Sequence, residues 1–333
     1  MNLSKRIELL VALGEYLKGD DHEIHSLREK AQFENKWFTP QYSSIAGKNI
    51  AENILQGDQL RKFADQYKVT DTLADKTVGL IMAGNIPYVG LHDIVCIFLA
   101  GLKQRIKVSS KDTTLTQDLV NKLYSLDTSL KERLTLDDML KGCDAYIATG
   151  SDNSARYFEF YFSKYPNIIR RNRTSVAILD GTESSEELEK LADDIQLYFG
   201  LGCRNVTQLL VPAQYDFIPL LNALRKYDHY REHDKYRNNL DYQLTIAIMN
   251  NRFYMTNDSV VLIENQSPFS PISQLHYQYY DNPEGALEGL NPEQIQCIVG
   301  HEHTPFGRAQ TPGISDFADG VDTMEFLMRI RNC

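Results

Sequence analysis

Short apolar runs alternate with segments of helical spacing through the middle of the chain. Thr77-Val-Gly-Leu-Ile-Met82 is a nearly continuous apolar run, the pattern of a parallel strand buried on both faces. Gly84 to Pro87 breaks it, and residues 91–102 then carry apolar positions at helical spacing, ending near Gly101. The same reading predicts a strand over 104–108, a helix over 113–124, a strand over 145–148 closed by Thr149-Gly150-Ser151, a helix over 154–164 and a strand over 175–179. Strands that alternate with helices in this way imply a parallel sheet covered by helices on both faces. Ligands of such sheets bind beyond the carboxyl ends of the strands, so the loops at 83–87, 108–112 and 149–153 are expected at one functional edge. The pattern repeats loosely after Phe199, with a Gly-Leu-Gly turn, a strand over 207–211, a helix over 218–227 and a strand over 259–263. Residues 1–75 read as largely helical, and the charged stretch 228–240 as solvated surface.

Composition narrows the class. Hydrophobic residues make up 42% of the 333 residues and charged residues 24%, a globular balance rather than a disordered one. The length suits two domains. A formal net charge of −10 argues against nucleic acid or an anionic membrane as partner, and Arg170-Arg171-Asn172-Arg173 is too short a basic stretch to reverse that. The five cysteines, Cys96, Cys143, Cys203, Cys297 and Cys333, fall in no Cys-x-x-Cys pair, which fits a reducing, cytoplasmic compartment better than a disulfide scaffold. The amino-terminal segment carries Glu8 and Glu15 on or beside its apolar run and reads as an amphipathic helix, not a signal peptide. Residues 78–102 have the length of a membrane span, but Asn85, Pro87, His92 and Asp93 interrupt them, so a strand, a loop and a helix are expected.

Two residue types in these loops could carry chemistry. Cys203 lies in Phe199-Gly-Leu-Gly-Cys-Arg-Asn-Val-Thr207. Glycines beside a cysteine let backbone approach a substrate and aim an amide N–H at it, and a helix starting there would favour the thiolate through its dipole. A cysteine at a tight turn is also a common core residue. Asn85, at the carboxyl end of the first predicted strand, offers an uncharged N–H donor on a rigid support, suited to an oxyanion; a turn asparagine near a proline is the plainer reading. His229 and His233, four apart, sit among charges, and His301-Glu-His303 lacks a third ligand group, so no metal site is expected. His92 reads as a structural histidine at a helix start.

Five segments in order resemble the aldehyde dehydrogenase superfamily. Asn85-Ile-Pro87 is similar to its Asn-Phe-Pro motif, Lys107-Val-Ser-Ser110 to its Lys-Pro-Ser-Glu cofactor segment, and Thr149-Gly150-Ser151 to its Phe-Thr-Gly-Ser turn. Gly202-Cys203 resembles the nucleophile segment and Ser267-Pro-Phe-Ser-Pro271 the later Glu-Ile-Phe-Gly-Pro segment. Val108-Ser-Ser-Lys-Asp112, Gly-Leu-Gly-Cys203-Arg-Asn and Pro305-Phe-Gly-Arg-Ala-Gln-Thr-Pro-Gly313 through Asp-Gly-Val-Asp-Thr323 bring the likeness closer to the LuxC-like acyl-CoA reductases.

The resemblance implies an aldehyde-dehydrogenase-like α/β fold of two doubly wound α/β domains with the active site between them. The expected parts are amino-terminal helices plus a dinucleotide-binding domain over 1–198, a cysteine domain over 199–310, and a tail over 311–333 returning to the first domain or to a partner. It implies Cys203 as the nucleophile of an acyl thioester, Asn85 and the Cys203 N–H as oxyanion donors, and Lys107, Ser109, Ser110, Lys111, Gly150, Ser151 and Phe269 at the cofactor. Two departures matter. Arg170 falls where oxidising relatives carry the glutamate that activates water, and no glutamate occurs between Phe160 and Thr182; an acyl-enzyme without that base would persist to meet hydride. Ser267 replaces the glutamate that touches the nicotinamide ribose. Ser110 stands where NAD-preferring relatives have an acidic residue, with Lys111 beside it, which favours NADPH over NADH. Expected partners are an acyl-CoA or other acyl thioester and either a second copy in a homodimer or an acyl-transferring protein. Two alternatives remain open: an acyl-phosphate reductase, of which glutamyl-phosphate reductase is an example, and a non-catalytic subunit that holds acyl groups on Cys203.

Overall fold

The computed structural model describes residues 1–332; Cys333 lies outside the described residues. Four helices open the chain: α1 (Leu3–Leu17), α2 (His22–Glu34), α3 (Pro40–Asn53) and α4 (Gly57–Gln66). Each of the first three starts where a side chain takes over an orphan backbone N–H: Asn2 accepts from the Lys5 amide, Asp21 from that of Ile24 and Thr39 from that of Tyr42. Leu9, Leu10, Leu13 and Leu17 give α1 a buried stripe, and the Tyr16 hydroxyl donates to Asp118 at 2.9 Å.

A five-stranded sheet follows, interleaved with helices: β1 (Thr77–Ile81), α5 (Leu91–Leu99), β2 (Lys103–Lys107), α6 (Thr113–Leu126), β3 (Leu134–Leu136), β4 (Ala145–Thr149), α7 (Asp152–Phe162) and β5 (Asn167–Arg170). Its order is β3-β2-β1-β4-β5 and every pair is parallel. The elements expected over 77–164 are present with ends moved by one to three residues. The two strands that the apolar pattern does not reveal, β3 and β5, are the edges, where strands are short and half polar. Residues 78–102 fold as the expected strand, loop and helix, and no helix among the described residues is long and apolar enough to cross a membrane.

The second sheet is built from β6 (Thr174–Ile178), α8 (Ser185–Gln196), β7 (Val206–Pro212), α9 (Ile218–Leu224), α10 (Asp234–Met249), β8 (Met255–Thr256), β9 (Val261–Glu264), β10 (Gln274–Tyr280), α11 (Pro283–Glu288) and β11 (Ile295–Val299). The order is β11-β6-β7-β10-β9-β8, parallel except for the β8–β9 pair. The last helix, α12 (Thr323–Asn332), lies against α5.

The chain forms two compact units, one of residues 1–172 with those from Pro312 onward, the other Arg173–Thr311. The division falls at 173 and not at 199 because β6 pairs with β7, Ser175 opposite Val206 and Val176 opposite Gln208. The stretch 228–240 differs from the solvated surface read from its charges. It folds into a 3-10 turn and the start of α10, and it buries Tyr230 and Tyr236 almost completely.

Within the first unit a buried ion pair ties the sheet to α5 and to the last helix. The Arg170 guanidinium, at the end of β5, donates to both oxygens of Asp93 at 2.5 and 2.9 Å and to the Thr323 hydroxyl at 2.8 Å. His92 Nε2 meets the Ile314 carbonyl at 2.8 Å and its ring packs edge-on to Phe317, a structural role. Breaking a buried pair by removing one partner leaves a charge unpaired. Asp93→Asn is therefore expected to lower unfolding free energy in urea by about 3–5 kcal/mol, while replacing Asp93 and Arg170 together by leucine recovers most of that loss.

Candidate active site

The carboxyl edge of the first sheet gathers the loops after β1, β2 and β4. Asn85 is half-buried in the turn after β1. Gly84, just before it, lets that turn touch the next loop: a Cβ there would stand 2.5 Å from Ser109 Oγ and 3.2 Å from Lys111 Cβ, so no other residue fits without moving the loops apart. The loop after β2 is ordered by its own bonds. Ser109 O accepts from the Asp112 amide at 3.0 Å and from the Thr113 hydroxyl at 3.3 Å, Ser109 Oγ accepts from the Lys111 amide at 3.3 Å, and the Lys111 carbonyl accepts from Asn35 at 3.1 Å. Lys107, Ser110 and Lys111 are exposed, and Ser109 is half-buried. After β4, Gly150 leads into Ser151, whose hydroxyl caps α7 by accepting from the Ser154 amide at 3.4 Å. The structure thus groups Asn85, Lys107, Ser109, Ser110, Lys111, Gly150 and Ser151 on one edge of one sheet.

Asp112, which the sequence offers only as the last residue of the Val108–Asp112 likeness, joins two of these loops. Its carboxylate accepts from the Tyr88 amide at 3.2 Å, fastening the Asn85 turn to the 108–112 loop. The other oxygen is buried without a partner. Burial, opposed only by that one backbone bond, pushes the Asp112 carboxyl up to about 8.

Cys203 lies in the second unit, half-buried, just after a turn of three successive left-handed residues and three residues before β7. No helix begins there; α8 has already ended at Gln196, so no helix dipole supports the thiolate from the chain direction expected. Tyr198 (φ 56°), Phe199 (φ 59°) and Gly200 (φ 72°) are all left-handed, which costs about 1–2 kcal/mol for each of the two aromatic residues. Side chains from elsewhere hold that turn. Tyr230 donates its hydroxyl to the Gln196 carbonyl at 2.7 Å and accepts from the Phe199 amide at 3.4 Å. Tyr236 donates to the Ser259 carbonyl at 2.9 Å.

Asn205 is the central pin of the turn. Fully buried, it accepts from the Gly202 amide at 2.8 Å and donates to the carbonyls of Asp194, Ile195 and Leu197 at 3.1, 3.1 and 2.9 Å. One side chain thereby satisfies carbonyls that the end of α8 leaves open and fixes the residue before Cys203. On the other side, the Ser175 hydroxyl donates to the Cys203 carbonyl at 3.0 Å and accepts from the Cys297 amide at 3.2 Å. Cys297 Sγ lies 3.1 Å from the same hydroxyl, and burial pushes this thiol up. Thr207 donates to the Pro268 carbonyl at 2.5 Å, which links the start of β7 to the loop carrying Ser267 and Phe269. Ser267 Oγ turns back onto the Phe269 amide at 3.3 Å. Asp194 accepts from the amides of Gly307 and Ala309 at 2.6 and 3.0 Å, fastening the Pro305–Gly313 motif of the sequence to α8; burial pushes its carboxyl up to about 7.

The remaining candidates resolve into structural roles. Arg170, where oxidising relatives would carry a base, is committed to Asp93 and Thr323. His301 sits between Asp180 and Glu187 at 3.1 and 3.2 Å, and these carboxylates raise its pKa. His233 caps α10, its Nδ1 accepting from the Tyr236 amide. Asn205 and Asp112 stood in the sequence only as members of the Gly-Leu-Gly-Cys203-Arg-Asn and Val108–Asp112 likenesses, with no role of their own, and Ser175 only as the start of a predicted strand.

The acyl-CoA reductase (LuxC) family model matches residues 47–218, just over half of the 333-residue chain, and the chain belongs to that family. Among solved structures it resembles the NADP-dependent glyceraldehyde-3-phosphate dehydrogenase of Bacillus halodurans C-125 complexed with NADP, with 12% identity over 90% of this chain and 74% of that one and a TM-score of 0.65. It also resembles aldehyde dehydrogenase 21 of Physcomitrella patens in complex with the reaction product succinate (11%, 91% and 74%, TM-score 0.68). A third is the Mycobacterium tuberculosis aldehyde dehydrogenase complexed with NAD+ (14%, 87% and 71%, TM-score 0.62). At these identities the likeness is one of fold, and the fold is that of the aldehyde dehydrogenases. No curated protein sequence matches the chain. The protein is therefore an aldehyde-dehydrogenase-like α/β enzyme of the acyl-CoA reductase class.

Two outcomes follow from the polar pins. Asn205→Ala leaves the Gly202 amide and three carbonyls without their partner and is expected to cost about 3 kcal/mol or more in urea unfolding. Asp112 binds its proton more tightly when folded (about 8) than when unfolded, at roughly 3.9. The unfolded chain therefore releases that proton first, and the contribution of Asp112 to stability falls as pH rises from about 4 to about 8 and is level above. Comparing wild type with Asp112→Asn by denaturation across that range should show the wild type losing ground as pH rises; parallel profiles would contradict this.

Proposed function

We propose that the protein reduces an acyl-CoA to an aldehyde through a thioester on Cys203, with NADPH as hydride donor and NADH as the lesser alternative. The observation that carries the proposal is the anchoring of the Gly202-Cys203 turn by Asn205 and Ser175, because a nucleophile must be held in place while its thiol remains accessible. In this reading the Cys203 thiolate attacks the carbonyl carbon of the thioester. The Asn85 side chain and the Cys203 amide hold the oxyanion. The carbon–sulfur bond to coenzyme A breaks, its thiolate leaves, and the acyl group remains on Cys203. NADPH, when bound, supplies the hydride that reduces this thioester. Collapse of the resulting oxyanion releases the aldehyde and returns the Cys203 thiolate.

The residues at the carboxyl edge of the first sheet fit such a cofactor. Lys107, Ser109, Ser110 and Lys111 offer ammonium and hydroxyl donors with no exposed carboxylate among them, a set suited to a phosphorylated ribose. Gly150 and Ser151 open α7, whose first amides suit a phosphate, and Phe269 is assigned to the nicotinamide side. The commitment of Arg170 to Asp93 supports reduction over hydrolysis, since no general base stands in that position to activate water. A partner that delivers acyl groups, or a second copy of the chain, is compatible with this activity.

NADPH oxidation with a panel of acyl-CoA thioesters tests the reading. Cys203→Ala should abolish turnover, and Asn85→Ala should lower kcat about 10²–10³-fold. Full activity of Cys203→Ala would refute the assignment of the nucleophile. Turnover with an acyl phosphate and none with any thioester would reassign the substrate.

A further inference from the structure

At the end of the first sheet opposite the cofactor loops, three arginines converge, and among the described residues none of them bonds to a carboxylate. Arg6 of α1, Arg133 just before β3 and Arg331 of α12 all meet the segments 70–74 and 100–101. Arg6 donates to the Thr70 carbonyl at 2.5 Å and the Thr72 carbonyl at 3.4 Å. Arg133 donates to the carbonyls of Ala74 and Gly101 at 2.7 and 2.9 Å. Arg331 donates to the Ala100 carbonyl, to the Thr72 carbonyl at 2.7 Å and to the hydroxyls of Thr70 and Thr72. Every one of these partners is neutral. Two acids stand near without bonding to them: Asp71, which accepts from the Leu3 amide and partly offsets the charge of Arg6, and Asp75, which pairs with Lys103 and partly offsets that of Arg133.

Gly101 shows how tightly the guanidiniums crowd. Its left-handed backbone (φ 71°) leaves space for them, since a Cβ would stand 2.0 Å from Arg6 Nη1 and 3.0 Å from Arg331 Nη1. Beside them is a small enclosed cavity lined by Arg6, Arg133 and Gln104, with Leu73, Phe98 and Leu130 as its apolar wall; it gives about 10 Å³ to the centre of a water-sized particle. Arg6 and Gln104 are each 1% exposed. Arg6 Nε and both polar atoms of the Gln104 amide are buried there without a partner. A buried donor left unpaired is costly, and so is a group of like charges in a low dielectric.

We infer that Arg6, Arg133 and Gln104, with Arg331 standing behind Gly101, form a binding site for a small inorganic anion of halide size. One such ion fits the space, offsets the repulsion of three guanidiniums and accepts from the Arg6 Nε and Gln104 amide donors. A water molecule would meet the hydrogen bonds but not the charge. The Arg6 guanidinium is pulled down to about 10 by burial first and by Arg331 next, with Asp71 opposing them only in part. The site lies at the amino ends of β1, β2 and β3, away from the loops assigned to the cofactor, and it joins the first helix of the chain to α12. Its role is to lock that junction. The inference is independent of the identity of the nucleophile.

The test is thermal unfolding of the full chain in sodium gluconate, an organic anion too large for the cavity, with bromide substituted at constant ionic strength. Wild type should show a saturable rise of several degrees in Tm with bromide. Arg133→Gln should lose that rise or need about tenfold more bromide for it. Gln104→Met fills the space, removes the unpaired amide and keeps the fold, so it should lose the bromide response while melting higher than wild type in gluconate. If Arg133→Gln does not fold, Gln104→Met decides alone. No bromide-dependent rise in wild type, or a rise of equal size in the variants, would overturn the site.

Discussion

Neighbouring strands that run parallel cannot be joined by a hairpin, and the two sheets of this protein are almost wholly parallel. A link between two such strands must therefore cross over, through α5, α6 and α7 in the first sheet, and all five strands of that sheet end at the same edge. In the first sheet the chain runs outward from β1 to β2 and β3, then returns to the other side of β1 for β4 and β5. The loops after β1 and β4 must then leave in opposite directions, and a crevice opens where they part. Asn85 follows β1, Gly150 and Ser151 follow β4, and the loop of Ser109 to Asp112 follows β2. Residues separated by tens of positions come to one edge because of strand direction alone. The family's oxidoreductase chemistry uses a fold in which this crevice is an unavoidable product of the topology.

What the sheets position roughly, buried polar groups position finely. Asp93 and Arg170 hold α5 to the end of β5, and Thr323 brings in the last helix. Asn205 holds the turn before Cys203, and Asp194 holds the segment at Gly307 and Ala309 to the same helix end. None of these groups gains from leaving water unless its partners are all present. That condition makes the arrangement all or nothing: a displaced loop would strand a charge or several carbonyls. It also allows the strained backbone at Tyr198 and Phe199 to persist, since the surrounding bonds over-determine it. The three arginines around Gly101 depart from this rule, being rich in donors and poor in charge balance.

The alternation of strands and helices between residues 77 and 178 was legible because buried parallel strands are short apolar runs and their helices keep a 3.6-residue period. Thr77–Ile81 and Ala145–Thr149 stand out on that basis alone. Asn85, Lys107, Gly150 and Cys203 were legible as candidates from local motif and from their position after a strand. Edge strands β3 and β5, and the polar strand β10 with its buried His276, were not, because a strand's hydrophobic pattern weakens where one side is solvent or where polar groups are paired inside.

The sequence by itself determined the fold class, the family likeness and the residue types at the candidate site, since these depend on period, motif and order along the chain. Only the tertiary structure decided that Ser175 meets Cys203, that Asp112 meets Tyr88, that Arg170 is spent on Asp93, and that Tyr230 and Tyr236 are core residues within a charged stretch. Each of those contacts joins positions far apart in the chain or turns a side chain inward against its local pattern. Its energy comes from desolvation and pairing in three dimensions, which no local period records.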